Sequence, residues 1–157
     1  MIIKCDTREQ LGFDFFAQGA EIVDVTLGAG DYTIEGLEEY IAIERKASTG
    51  ELSGNLGKVK MRERFYRELE KLNTIQEAYI VCEFPQSFLY TFPENSGIPK
   101  SKRKFIKMSG KYLRKLIHEI EDNFDVQFIY CDNRAHAEQV TYDLLEKAWK
   151  KYGNISK

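Results

Sequence analysis

Ile41-Ala42-Ile43-Glu44-Arg45-Lys46 is the stretch on which the reading of this fold turns. Its first half is apolar and rich in β-branched residues, so it reads as a strand. Strand side chains alternate between the two faces of a sheet, which puts Glu44 and Lys46 on one face and Ile41 and Ile43 on the other. The isoleucines enter a core while a carboxylate and an ammonium are held side by side in a polar cleft. Two further words precede it: Asp6-Thr7-Arg8-Glu9, directly after the apolar run Ile2-Ile3-Lys4-Cys5, and Gly30-Asp31-Tyr32.

Residue types grouped in this way suit phosphodiester hydrolysis. That reaction brings a hydroxide to an anion and builds charge on phosphoryl oxygens. Bare carboxylates would repel the substrate, whereas carboxylates around Mg²⁺ or Mn²⁺ become useful, because a hard divalent cation takes oxygen ligands from carboxylates, water and phosphate. Asp31 and Glu44 are the expected metal ligands. The backbone carbonyl of Arg45, between the two inward side chains, offers a third oxygen. Lys46 is placed to orient or deprotonate the attacking water and to neutralise charge at the phosphate.

These words, in this order, resemble the XPF/Hef-type structure-specific endonucleases, whose signature is G-D-x(n)-E-R-K-x3-D with a D-x-R-E word near the start. The resemblance covers residues 2 to 83 with motifs. It implies an α/β, restriction-endonuclease-like fold of the PD-(D/E)xK type, with a mixed central sheet flanked by helices, and a metal-dependent DNA endonuclease acting on branched, flapped or forked DNA. It also implies catalytic roles for Asp31, Glu44, Lys46, Asp6 and Arg45. Asp6 would assist at the metal or hold a second ion, and Arg8, Glu9 and Arg45 would contact phosphate or fix their neighbours. The family's last aspartate falls on Gly50 here; one residue later, Glu51 opens the run Glu51-Leu52-Ser53-Gly54-Asn55-Leu56, so Glu51 is the expected outer metal ligand in a shifted register.

Taken singly, each word has an ordinary structural reading. Gly30-Asp31-Tyr32 is a turn signal, Asp6-Thr7-Arg8-Glu9 is compatible with a helix cap, and a lone lysine is usually solvated. The joint occurrence favours the nuclease. The alternative is a DNA-binding or scaffolding subunit that keeps the fold without the chemistry; a more distant restriction- or resolvase-like nuclease is a second rival.

The chain has 157 residues, 43% of them hydrophobic, which fits one domain over residues 1–157 with no tandem helix-hairpin-helix domain expected within it. Cys5, Cys82 and Cys131 show no paired spacing and read as reduced, buried thiols of an intracellular protein. No apolar run approaches the ~20 residues of a membrane span, and no cleavable signal pattern opens the chain. A soluble, cytoplasmic protein is expected.

Strands are predicted near Ile2 to Cys5, Glu21 to Leu27, Tyr32 to Ile34, Tyr40 to Glu44, Ala78 to Glu83 and Val126 to Cys131. Apolar stripes at helical spacing predict helices over Met61 to Leu72, Leu113 to Phe124 and Ala137 to Ala148, with Asn133 as N-cap of the last and Gly153 as its stop. The last two stripes hold enough apolar surface either to cover the sheet or to pair two copies of the chain, so a homodimer or another protein is an expected partner beside DNA. No role is expected for His118 or His136, and Trp149 and Tyr152 read as packing residues.

Net charge is only −2, but the cations are concentrated. Lys102, Arg103, Lys104 and Lys107 lie in a stretch from Pro99 to Lys115 without an acidic residue, and Arg62 and Arg64 lie in a second basic run. With Arg8, these are the expected DNA-phosphate contacts. Pro85, Pro93 and Pro99 mark an irregular connection; Phe84, Phe88, Tyr90 and Phe92 within it either stack on splayed bases or pack under the loop.

Overall fold

Six strands and four helices follow one another along the computed structural model, which describes residues 1–155; the last two residues of the 1–157 span lie outside it. The strands are β1 (Ile2–Asp6), β2 (Glu21–Val25), β3 (Tyr32–Ile34), β4 (Ile41–Lys46), β5 (Glu77–Cys82) and β6 (Gln127–Tyr130). The helices are α1 (Thr49–Gly57), α2 (Val59–Leu72), α3 (Gly110–Asn123) and α4 (Arg134–Tyr152). All six predicted strands are present within a few residues.

The sheet runs in the order β2-β1-β3-β4-β5-β6. It is mixed: β1 pairs in parallel with β2 and antiparallel with β3, β3 pairs antiparallel with β4, and β4, β5 and β6 run parallel. Parallel strands need crossover connections: α1 and α2 join β4 to β5 and α3 joins β5 to β6 on one face, a non-helical segment joins β1 to β2, and α4 covers the other face.

Each face has its own core. Ala42 and Ile80 meet Leu52, Leu56, Phe65, Leu69, Leu113, Leu116, Ile117 and Ile120. On the opposite face Ile3, Ile41, Ile43 and Val81 meet Phe13, Phe15, Ala137, Leu145 and Ala148. Each buried Val, Leu, Ile or Phe among them contributes roughly 1.5–3 kcal/mol. The stripes of α3 and α4 are used within the chain, where they cover the sheet, with Val140, Leu144 and Trp149 packed on the second core.

Helix α1 and the helical turn over Lys100–Phe105 have no counterpart among the elements predicted from spacing. Three glycines in Thr49–Gly57 conceal α1, since glycine is unfavourable in helix interiors. The tertiary setting overrides that cost: Ser48 accepts from Glu51 N–H as N-cap, and Thr49, Leu52, Ser53 and Leu56 are buried. Asn133 caps α4 as predicted, accepting from His136 N–H at 2.9 Å.

The aromatics between the prolines divide. Phe84 and Phe92 are buried in the first core and Phe88 packs against it. Tyr90 alone is exposed, with the Arg114 guanidinium 4.3 Å from its ring centroid. Tyr152 is buried and stacks on Tyr40, and no helix among the described residues is long and apolar enough to cross a membrane.

Candidate active site

Gly30 delivers Asp31 to the sheet. Its φ is +71°, and a Cβ there would press on the Ile43 backbone at 3.1 Å, so a side chain is disfavoured by conformation and by space. The turn lets Asp31 N–H donate to Ile43 C=O at 2.8 Å, while Asp31 C=O accepts from Asp6 N–H at 2.9 Å. Asp31 is thus fixed between β1 and β4 by backbone bonds on both sides. Its Oδ2 accepts from Arg45 N–H at 2.8 Å, which sets the carboxylate over β4 beside Glu44.

Glu44 and Lys46 share one face of β4, as the alternation requires, with Nζ and Oε1 3.5 Å apart. This face looks toward α2. The Lys46 ammonium stands 4.7 Å from the Phe65 ring centroid, a cation held by the negative face of an aromatic ring. Ile41 and Ile43 point to the other face and into the second core.

Burial first, then the charges of Glu44 and Glu9, push the Asp31 carboxyl up to about 8. Burial likewise raises Glu44 against the opposing effect of Lys46, with Glu68 on α2 adding to the rise. Two carboxyls that cannot both ionise cheaply at neutral pH are a donor pair that a cation would complete. Their oxygens, with water and phosphate, suit Mg²⁺ or Mn²⁺. Among the described residues no third His, Cys, Asp or Glu converges with them in a metal-binding arrangement.

The remaining expected residues are engaged otherwise. Asp6 is 2% exposed, and its Oδ1 accepts from Arg8 N–H and Nε while its Oδ2 accepts from Arg8 Nη2 and Leu27 N–H, at 2.8 to 2.9 Å. These four bonds occupy the carboxylate's lone pairs and, led by the Arg8 side chain, hold it down at about 2. In this arrangement Asp6 fixes the Leu27 to Gly30 turn and keeps Arg8 at the surface, and no lone pair is left for a cation.

Glu51 caps α1. It accepts from Ala47 N–H at 2.8 Å while its own N–H donates to Ser48 Oγ at 3.1 Å, a near relative of the capping box. Gly50 carries the reason for the displaced acid: its N–H donates to Ser96 C=O, and any Cβ there would overlap that same oxygen. No side chain fits at the register position of the resembled motif.

Arg45 is buried on the opposite face from Glu44. Glu9 receives its Nε at 3.0 Å and its Nη2 at 2.7 Å, and Glu83 receives its Nη1 at 2.5 Å. Burial opposes the charge, but the two carboxylates outweigh it and the guanidinium stays firmly protonated. Arg134 joins from α4 with bonds to Glu83 and to the carbonyls of Leu11 and Gly12. This network ties the loop after β1 to β4, β5 and α4, and it engages the Arg45 guanidinium with Glu9 and Glu83. Glu83 and Arg134 were missed in the sequence; a lone acid ending an apolar strand run was the available signal.

The cations separate in the same way. Lys102, Lys104 and Lys107 are exposed, as is Arg64. Arg103 donates to Ile98 C=O and to Glu94, and Arg62 donates Nε to Leu56 C=O at 2.8 Å, closing the α1–α2 joint.

No protein-family model and no curated protein matches the sequence. Solved structures do. XPF from Aeropyrum pernix matches with a TM-score of 0.67 at 15% identity, over 99% of this chain and 68% of that one. This chain has the XPF fold. The complex of the same XPF with DNA matches with a TM-score of 0.65 at 16% identity, over 96% of this chain and 66% of that one. The likeness to XPF therefore spans nearly the whole of this chain and about two thirds of its counterpart. At such identity it establishes architecture, and the chemistry rests on the residues.

Proposed function

We propose that this chain is the nuclease module of a Mg²⁺- or Mn²⁺-dependent DNA endonuclease that cuts branched, flapped or forked DNA. The observation that carries the reading is the Asp31–Glu44 pair, two half-buried carboxylates, one at the entry to β3 and one on β4, with the Lys46 ammonium 3.5 Å from Glu44. The XPF fold, with one of its structures in complex with DNA, supports the choice of substrate.

In this reading Asp31 and Glu44 hold the cation. Bound there, a divalent ion would offset charge on the phosphoryl oxygens and lower the pKa of a water. Lys46 contributes a second positive centre fixed by Phe65 and Glu44, placed to donate hydrogen bonds to a phosphate oxygen or the attacking water. Arg45 N–H orients Asp31 from behind, and Asp6 keeps Arg8 outward as a phosphate contact. Lys102, Lys104, Lys107 and Arg64 supply further positive charge for the duplex. Branch selection comes from this module, from a second copy or from another protein.

The test is cleavage of labelled flap, fork, Holliday-junction and linear DNAs with Mg²⁺, Mn²⁺ or chelator. The proposal expects metal-dependent cutting with a preference for branched substrates. DNA binding without cutting under every metal condition would instead identify a non-catalytic DNA-binding subunit.

A further inference from the structure

A groove of about 870 Å³ runs between the α1–α2 joint and the segment that leads into α3, with Gly54, Val59, Met61, Phe105, Lys107 and Tyr112 among its walls. Its rim exposes large apolar side chains. Phe105 is 72% exposed, Val59 70% and Tyr112 40%, so two aromatic rings and an aliphatic side chain face solvent around one depression. Scattered exposed apolar residues are ordinary, whereas a contiguous set marks a binding surface.

Charge identifies the occupant. No acidic residue lines the groove, while Lys58 and Lys107 do. Lys60, Lys104 and Lys111 adjoin its lining residues in the sequence, and thirteen of the chain's 23 Lys and Arg fall within residues 58–67 and 99–115. Two of these cations already lie against the rings: Lys104 Nζ is 5.2 Å from the Phe105 centroid and Arg62 Cζ 6.0 Å from that of Tyr112. Exposed rings set among lysines form the arrangement that accepts an unpaired nucleic-acid strand, the rings stacking on bases and the ammonium groups tracking phosphates. An amphipathic peptide would also fill apolar space but would have to be acidic to match this rim.

The groove is continuous with the catalytic face through one helix. Val59 and Met61 on the first turn of α2 form its wall, and Phe65, four residues after Met61, touches Lys46. That interval is about 6 Å along the helix.

We propose that this groove binds the unpaired strand of a branched DNA, with Phe105 and Tyr112 as stacking platforms, so that the strand leads along α2 to Glu44 and Lys46. The assignment rests on the proposed nuclease reading for the strand's destination. It would make the module itself a reader of the single-strand side of a junction.

Binding is measured in chelator, by fluorescence anisotropy, with labelled oligo-dT of about 12 nucleotides and with a blunt duplex. Phe105→Ala is expected to weaken oligo-dT binding about tenfold and to leave the duplex unchanged; circular dichroism checks the fold. Phe105→Trp, which restores a stacking ring, is expected to retain affinity and to show tryptophan quenching on adding oligo-dT. Wild-type protein that fails to bind oligo-dT, or Phe105→Ala that weakens both DNAs alike or neither, overturns the proposal. Cleavage of a fork is assayed separately. Loss of the nuclease reading with selective loss of oligo-dT binding would leave the groove assigned, and the converse would leave the nuclease without it.

Discussion

The Arg45 backbone N–H donates to Asp31 Oδ2 at 2.8 Å, so the residue between Glu44 and Lys46 holds their acidic neighbour in place without using its side chain. The Arg45 guanidinium is meanwhile committed to Glu9 and Glu83 on the far face. One strand residue thereby aligns both faces of β4.

Removal of the proposed chemistry is expected to spare the fold. Lys46→Ala, and Asp31→Asn combined with Glu44→Gln, should lower cleavage by at least about 100-fold, the scale set by removing a charge-stabilising group, while DNA affinity in chelator holds or rises. Glu51→Gln should reduce cleavage far less, because an amide still accepts from Ala47 N–H. Single-turnover cleavage beside anisotropy separates these effects; full activity in Lys46→Ala would displace the site.

The Asp31 shift makes metal-free stability fall as pH rises. Asp31 ionises near 3.8 when unfolded and near 8 in the fold, so between these values the folded state holds the proton that the unfolded state has released. The contribution is complete below about pH 4 and lost through about pH 8. Thermal unfolding in chelator should give a lower Tm at pH 8 than at pH 5, and Asp31→Asn should flatten that slope. Each kcal/mol reads as about 2–4 °C for a chain of this size. Mg²⁺ should raise the wild-type Tm more at the higher pH; a larger rise at the lower pH would contradict the assignment.

Arg45→Ala should be the most damaging single change in the cation set. It leaves the largely buried Glu9 without its cationic partner, a situation that costs about 3–5 kcal/mol, while Glu83 keeps Arg134. Arg45→Lys recovers only part of this, because an ammonium cannot reproduce the fork to Glu9. Chemical denaturation gives the loss directly, and an unchanged midpoint in Arg45→Ala would remove Arg45 from the framework.

Charge reversal at Lys102, Lys104 and Lys107 should weaken binding to every DNA and flatten its salt dependence, the log-log slope falling by about 0.9 for each duplex phosphate no longer neutralised. Arg103→Glu should act differently, lowering stability first, since Arg103 bonds Ile98 C=O and Glu94. A slope that stays constant on the triple reversal would reduce that segment to a solvated surface.

Much of this molecule was legible in its sequence because strand alternation is a local property. The strands, the shared face of Glu44 and Lys46, the opposite face of the isoleucines and the stripes of α2, α3 and α4 all follow from side-chain spacing within single elements. What only the tertiary structure decided is which partners meet. Asp6 spends its lone pairs on Arg8 and Leu27 N–H, the latter 21 residues away. Arg45 turns inward because Glu9 and Glu83 arrive from distant segments, Gly50 is barred from carrying a side chain by Ser96, and the exposed rings of Phe105 and Tyr112 meet Val59 only where the start of α2 lies beside α3 and the segment leading into it. Hydrogen bonds and close contacts between residues far apart in the chain leave no periodic trace, so residue type and spacing nominate such side chains while packing assigns their work.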